Sequence, residues 1–148
     1  MERPGSARSG RGGPLILVLD DDLDSVISLS HMLRDGGYRT GMAGDRAKAL
    51  ALVAELPVAL IVSDLWMPDG DGLSFIKAAR AIKPGLPAIL VTAHGDWDTC
   101  MEALRDGVAD YLTKPVRKAE LLALVSRALE DFPSRRQVSP SETLPLER

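Results

Sequence analysis

Short apolar runs alternate with amphipathic stretches along most of this chain. Pro14–Leu19, Tyr38–Met42, Val58–Ser63, Ala88–Val91 and Ala109–Leu112 are the five runs. Their length and their Val, Ile and Leu content predict strands. The stretches between them have helical spacing. Leu23–Arg34 places Val26, Ile27, Leu29, Met32 and Leu33 on one wide face, and Gly36-Gly37 offers a left-handed stop. Arg46–Leu56 opens at Gly44 or Asp45 and stops at Pro57, while Leu73–Ile82 closes on Lys83-Pro84-Gly85. A fourth helix, capped by Asp96 or Asp98, is predicted to end near Gly107. A fifth, Lys118–Asp131, carries a broad apolar face from Leu121 to Leu129 and is predicted to terminate at Pro133.

This alternation predicts an α/β fold, a five-stranded parallel sheet covered by helices on both faces, in a single domain spanning 14–131. Residues 1–13 are rich in Gly, Ser and Arg and read as a disordered arm. Residues 132–148 hold three prolines and three serines with little apolar periodicity, and read as a tail or linker.

Parallel strands bring their carboxyl ends to one edge, where open α/β sheets bind ligands. Four of the runs end in reactive groups: Asp20-Asp21-Asp22, Asp64, Thr92 and Thr113-Lys114-Pro115. That set supplies carboxylates for a metal, one nucleophilic aspartate, and a hydroxyl and an ammonium for a phosphoryl group.

Composition narrows the partners. With 148 residues, 45 % of them hydrophobic, the chain can bury one real core. A net charge of -3 gives no basic surface for nucleic-acid phosphates, so no direct nucleic-acid binding is expected. Cys100 is the only cysteine, which leaves no disulfide within the chain and suits a reducing compartment. Arg3, Arg8 and Arg11 precede an apolar stretch, but Leu15–Leu19 is shorter than the about 7–15 residues of a signal core. No run approaches the roughly 20 residues that span a bilayer. A soluble, cytoplasmic protein with no membrane contact is the expectation.

Four motifs in register carry a resemblance. Leu19-Asp20-Asp21-Asp22 closes the first strand, and Asp64-Leu65-Trp66-Met67-Pro68 with Asp71-Gly72 follows the third. Thr92-Ala93 follows the fourth, and Asp110-Tyr111-Leu112-Thr113-Lys114-Pro115 surrounds the fifth. Over roughly Leu15–Leu129 the chain resembles the receiver (CheY-like) domain of two-component response regulators. The resemblance implies a flavodoxin-like (βα)5 doubly wound sheet that takes a phosphoryl group from a sensor histidine kinase, or a phosphotransfer protein, onto Asp64. It implies Mg²⁺ as cofactor, with Asp21 a direct ligand, Asp20 acting through water, and Asp64 and the main-chain carbonyl of Trp66 completing the protein ligands. It also implies that Thr92 and Tyr111 form the switch and that the Lys114-Pro115 bond is cis. The docking surface would be the face of helix four, strand five and helix five, taking a downstream protein effector or a second copy.

Each role has a chemical reason. Two carboxylates about 5 Å apart at an effective dielectric of about 20 repel by roughly 3 kcal/mol, and a hard divalent cation offsets that. Asp64 is a carboxylate nucleophile, giving an acyl phosphate that water later cleaves. Lys114 is a flexible point charge for a phosphoryl oxygen, and the Thr92 hydroxyl is a short donor to a phosphoryl oxygen that would draw its loop toward Asp64 only when phosphate is present. Asp22 is read as a helix cap, not a ligand. Leu23 stands where many receivers have proline, which touches no chemistry. Trp66, facing His94 two residues after Thr92, is expected to modulate the attack of water on the acyl phosphate; the plainer alternative is a loop aromatic and an exposed loop histidine.

Two other readings compete. A phosphorylation-independent pseudo-receiver would have no use for the intact Asp21, Asp64, Thr92 and Lys114 set. A phosphohydrolase with an aspartyl-phosphate intermediate needs a second aspartate two positions after the first, where this chain has Trp66. The chain is therefore expected to catalyse only its own phosphorylation and dephosphorylation, not turnover of an external substrate.

Overall fold

A computed structural model describes residues 13–93, 97–105 and 107–137. The elements are β1 (Leu15–Leu19), α1 (Leu23–Asp35), β2 (Arg39–Ala43), α2 (Arg46–Glu55), β3 (Val58–Asp64), β4 (Trp66–Met67) and β5 (Gly70–Asp71). They continue with α3 (Gly72–Ile82), β6 (Ala88–Thr92), α4 (Trp97–Arg105), β7 (Asp110–Thr113) and α5 (Lys118–Gln137). Five strands form one parallel sheet in the order β2-β1-β3-β6-β7. The predicted α/β fold is the one found, with strand bounds displaced by a residue at most.

The sheet separates two apolar layers. On one face Ala49 and Val53 of α2, Phe75, Ile76 and Ala79 of α3 and Ala103 of α4 pack against Leu17, Leu19, Ile61 and Leu90. On the other, Val26, Leu29 and Leu33 of α1 with Leu121, Val125 and Ala128 of α5 cover Ile16, Val18, Val62 and Val91. The central strands are buried on both sides, which is why β1, β3 and β6 read as continuous apolar runs without alternation. Each fully buried Leu, Ile or Phe contributes about 1.5–3 kcal/mol by leaving water.

Aspartates start three helices. Asp22 accepts from the Asp24 main-chain N–H, Asp45 from that of Lys48 and Asp71 from that of Ser74. Of the two residues offered as the start of α2, Asp45 is the cap. Helix α1 ends at Gly36, and Gly37 follows in the left-handed region at φ 96°. Asp98 sits within the first turn of α4, so it is not the cap; Asp96, the other candidate, lies outside the described residues.

Two terminal boundaries need correction. Gly13, read as part of the arm, is buried, and its carbonyl accepts from Arg39 Nε at 2.7 Å. Helix α5 does not stop at Pro133 but runs to Gln137, so the predicted boundary at residue 132 falls inside it. Proline removes one N–H and crowds the carbonyl four residues back, which can kink a helix without ending it. The rest of the predicted arm and residues 138–148 lie outside the described residues. Among the described residues, no helix is long and apolar enough to cross a membrane.

Candidate functional site

In this strand order the chain reverses direction between β1 and β3, and the carboxyl ends of those strands flank the switch point. Asp20 follows β1 and Asp64 ends β3. Asp20 is buried, Asp21 is exposed and Asp64 lies between. One carboxylate oxygen from each of Asp20, Asp21 and Asp64 falls within 4.8 Å of the others. Asp22 turns away: its carboxylate accepts from Asp24 N at 3.2 Å and Ser25 Oγ at 3.0 Å. The helix-cap reading of the third acid holds.

Lys114 reaches into this cluster from the end of β7. Its Nζ donates to Asp20 Oδ2 at 2.9 Å and stands 3.9 Å from Asp64 Oδ1. The Lys114-Pro115 bond is cis, as expected. Thr92 is buried at the end of β6, and its carbonyl accepts from Lys114 N at 2.8 Å, which ties the ends of β6 and β7 together. Tyr111, on β7 beside Leu90, is half-buried against the core layer of α2–α4.

Electrostatics follow from this crowding. Burial, then the neighbouring Asp20, push the Asp64 carboxyl up to about 6; Lys114 opposes this, Asp21 adds to it, and the Leu65 main-chain N–H opposes it. Burial works against the charge on Lys114, but its hydrogen bond to Asp20 and the charges of Asp20, Asp64 and Asp22 raise it above its ordinary value. A carboxylate crowded by other carboxylates is unfavourable on its own and suits a cation. Three hard oxygen donors within reach of one point are the chemistry that a divalent ion such as Mg²⁺ takes.

The loop after Asp64 contains structure that the pattern did not predict. β4 and β5 form an antiparallel hairpin pairing Trp66 with Asp71 and Met67 with Gly70. Gly72 follows, donating its N–H to the Leu65 carbonyl at 2.6 Å. A Cβ at Gly72 would collide with the main-chain oxygen of Asp64 and stand 3.0 Å from Ser63 Oγ. This gives Asp71-Gly72 a physical reason: the aspartate caps α3 and the glycine lets the helix start against the end of β3. Trp66 projects from the hairpin with half of its surface exposed. His94 lies outside the described residues.

Residues 16–126 match the response regulator receiver domain. The chain belongs to this family. The receiver is 37 % identical over 114 residues to the transcriptional regulatory protein ZraR of Klebsiella oxytoca, covering 77 % of this chain and 26 % of that protein. It thus spans about a quarter of the length of that relative. Among solved structures, a CheY-like receiver domain protein of Methanospirillum hungatei superposes with a TM-score of 0.77 at 26 % identity, covering 83 % of this chain and 98 % of that one. The beryllofluoride-activated NtrC4 receiver domain dimer gives a TM-score of 0.75 at 35 % identity, covering 80 % and 98 %. Membership places this receiver in two-component signalling.

The site residues named from sequence are therefore mostly neighbours in space. Asp20, Asp21, Asp64 and Lys114 converge, and Thr92 closes the adjacent strand. What sequence reasoning missed is that Lys114 bonds Asp20 more closely than Asp64. The hairpin and its contact with α2 were also missed, since neither has a local signal.

Proposed function

We propose that this receiver is a phosphorylation-dependent switch in which Asp64 accepts a phosphoryl group from a sensor histidine kinase or phosphotransfer protein. The observation that carries this reading is the cluster itself: three carboxylates within 4.8 Å, with Lys114 Nζ 2.9 Å from Asp20 and 3.9 Å from Asp64. An Asp64 oxygen forms a bond to phosphorus as the donor's own bond to phosphorus breaks, its electron pair leaving with the donor. Asp20, Asp21, Asp64 and the Trp66 main-chain carbonyl would hold Mg²⁺, which supplies neutralisation of the crowded acids and of the charge spread over the transferring group. Lys114 then pairs with a phosphoryl oxygen as a mobile point charge.

The readout is a shift between two packings. The Thr92 hydroxyl donates to the acquired phosphoryl group, Tyr111 follows it inward, and the face formed by α4, β7 and α5 changes its affinity for a protein effector or a second copy. The activated NtrC4 receiver being a dimer supports this direction. Water later cleaves the acyl phosphate, so the chain acts on itself and not as a turnover enzyme. The cytoplasm, where kinases and effectors meet, is the proposed compartment, with no direct role for nucleic acid. Trp66, half exposed two residues after Asp64, shields the acyl phosphate, so Trp66→Ala is expected to shorten its lifetime; an unchanged dephosphorylation rate sinks that role.

The test is intact mass after incubation with Mg²⁺ and a small acyl-phosphate donor. One phosphoryl group per chain on the wild type and none on Asp64→Asn is the expected result. No modification, with partner binding unaltered, points to a pseudo-receiver. Steady phosphate release from simple phosphomonoesters points to a hydrolase.

A further inference from the structure

The metal-facing edge has two sides, and the segment running from the end of β2 into the start of α2 touches both. On one side the main-chain N–H of Asp20 donates to the Ala43 carbonyl at 3.2 Å, next to Gly44 and Asp45. On the other side Arg46, the first residue of α2, touches the β4–β5 hairpin at two points and the start of α3 at a third. Its main-chain N–H donates to Asp69 Oδ2 at 3.1 Å. Its Nη1 donates to Ser74 Oγ at 2.8 Å. Its side chain lies over Gly70, where an added Cβ would stand 2.8 Å from Nη1 and 3.4 Å from Cδ.

Ser74 passes the contact inward. Its Oγ donates to the Asp71 carbonyl at 3.0 Å and its N–H to Asp71 Oδ1 at 2.7 Å, and Asp71 is the cross-strand partner of Trp66. The hairpin needs such support. Two residues per strand cannot hold a position alone, Pro68 brings no N–H, and Gly70 sits at φ 139°, a conformation that side-chain-bearing residues rarely adopt. The planar guanidinium, bonded through Nη1 to Ser74 Oγ and stacked over Gly70, joins α2 to both the hairpin and the start of α3.

We propose that Arg46 is a positioning residue for metal binding, strapping the hairpin that carries the Trp66 main-chain carbonyl to the start of α2, directly after the β2 end that bonds Asp20. This rests on the function proposed above, in which that carbonyl is a ligand. The proposal has a sign that separates it from plain electrostatics. Arg46 is a cation on an acidic edge, so by Coulomb's law alone its removal strengthens Mg²⁺ binding. As a strap, its removal weakens it.

The experiment titrates Mg²⁺ into the full chain in a Trp97→Phe background, where Trp66 is the only indole, and follows its fluorescence and the heat of binding. Arg46→Ala is expected to weaken Mg²⁺ binding about tenfold, the low end for residues that orient metal ligands. Arg46→Lys, which keeps the charge and loses the planar guanidinium over Gly70, is expected to resemble it, as is Gly70→Ala, which displaces the guanidinium. A second readout needs no metal. In chelator, amide exchange at Gly70–Gly72 is expected to quicken in Arg46→Ala while the core strands stay protected. Equal or tighter Mg²⁺ binding by Arg46→Ala, or unchanged exchange in the hairpin, overturns the strap. If the wild type itself gives no response to Mg²⁺, the proposed function fails, and the exchange measurement alone decides the strap.

Discussion

At the carboxyl edge of the sheet, Asp20, Asp21 and Asp64 crowd within 4.8 Å around a single ammonium. At the amino edge, two cations face main-chain carbonyls instead. Arg80 donates to Leu86 O and Gly107 O, each at 2.9 Å, and Lys83 Nζ to Val58 O at 3.0 Å. These bonds tie α3 to the entrances of β3, β6 and β7. The lower arrangement gives both cations carbonyl dipoles of suitable sign; the upper one leaves like charges facing each other, with the Asp64 carboxyl pushed up to about 6. The amino edge holds its cations against carbonyls, and the carboxyl edge holds the crowded acids. The unfavourable edge is tolerated because it is small and sits on a sheet whose central strands are buried on both faces.

The comparison breaks first at Gly72, if the carboxyl edge is softer than its contacts suggest. Gly72→Ala forces a methyl group against the Asp64 main-chain oxygen and, at 3.1 Å, against Leu90 Cδ2. Overpacking of this kind costs about 3 kcal/mol, and more where backbone must move. Urea unfolding in chelator is the measurement, and a loss below about 1 kcal/mol shows that the edge yields. Next in size is Arg80→Ala at the amino edge. Losing charge-assisted bonds to two carbonyls is expected to cost about 2 kcal/mol. Mg²⁺ affinity should not change, because Arg80 lies at the opposite end of the sheet from the acidic cluster. A weakened Mg²⁺ response there would mean that the two edges are not independent.

A substitution of opposite sign tests the repulsion. With a folded value of about 6 against an ordinary 3.8, Asp64 binds its proton more tightly in the fold than in the unfolded chain. Folding therefore gains from the protonated form at low pH, and that gain is lost as pH rises between these values. In chelator at pH 8, Asp64→Asn is expected to be more stable than wild type by about 1–2 kcal/mol after allowance for solvent screening. The advantage should fade as pH falls through 6 and vanish below about 4. Mg²⁺ should stabilise the wild type at pH 8 and lose that effect as Asp64 protonates. An Asn variant less stable than wild type at pH 8 would remove the repulsion from the account.

The convergence of Asp20, Asp64 and Lys114, with Thr92 at the adjacent strand end, was legible from sequence because strand ends are marked locally, by apolar runs stopping at a polar group, and parallel topology does the rest. The caps at Asp22, Asp45 and Asp71 were accessible for the same local reason, although only two of them were singled out. What stayed hidden depends on contacts between distant segments. Arg46 meets Ser74 across 28 positions, and Lys114 meets Asp20 across 94, so no window along the chain contains either pair. The β4–β5 hairpin escaped because two-residue strands around Pro68-Asp69 have no period to detect. Pro133 misled for a different reason: a proline signals a probable helix end, but α5 continues through it.

Asp22 is the smallest and sharpest test of where the unfavourable edge stops. It follows Asp20 and Asp21 directly, yet its carboxylate serves the first turn of α1, accepting from Asp24 N and Ser25 Oγ. Asp22→Ala removes that cap and is expected to lower stability by about 1 kcal/mol. Asp22→Asn keeps a cap acceptor and should fall within a few tenths of wild type. Neither should weaken Mg²⁺ binding beyond the small effect of one screened surface charge, about twofold. If Asp22→Asn instead weakens Mg²⁺ as much as Asp21→Asn does, the third acid belongs to the metal cluster. The repulsion at the carboxyl edge would then extend to four carboxylates, and the cap would be a secondary use of a ligand.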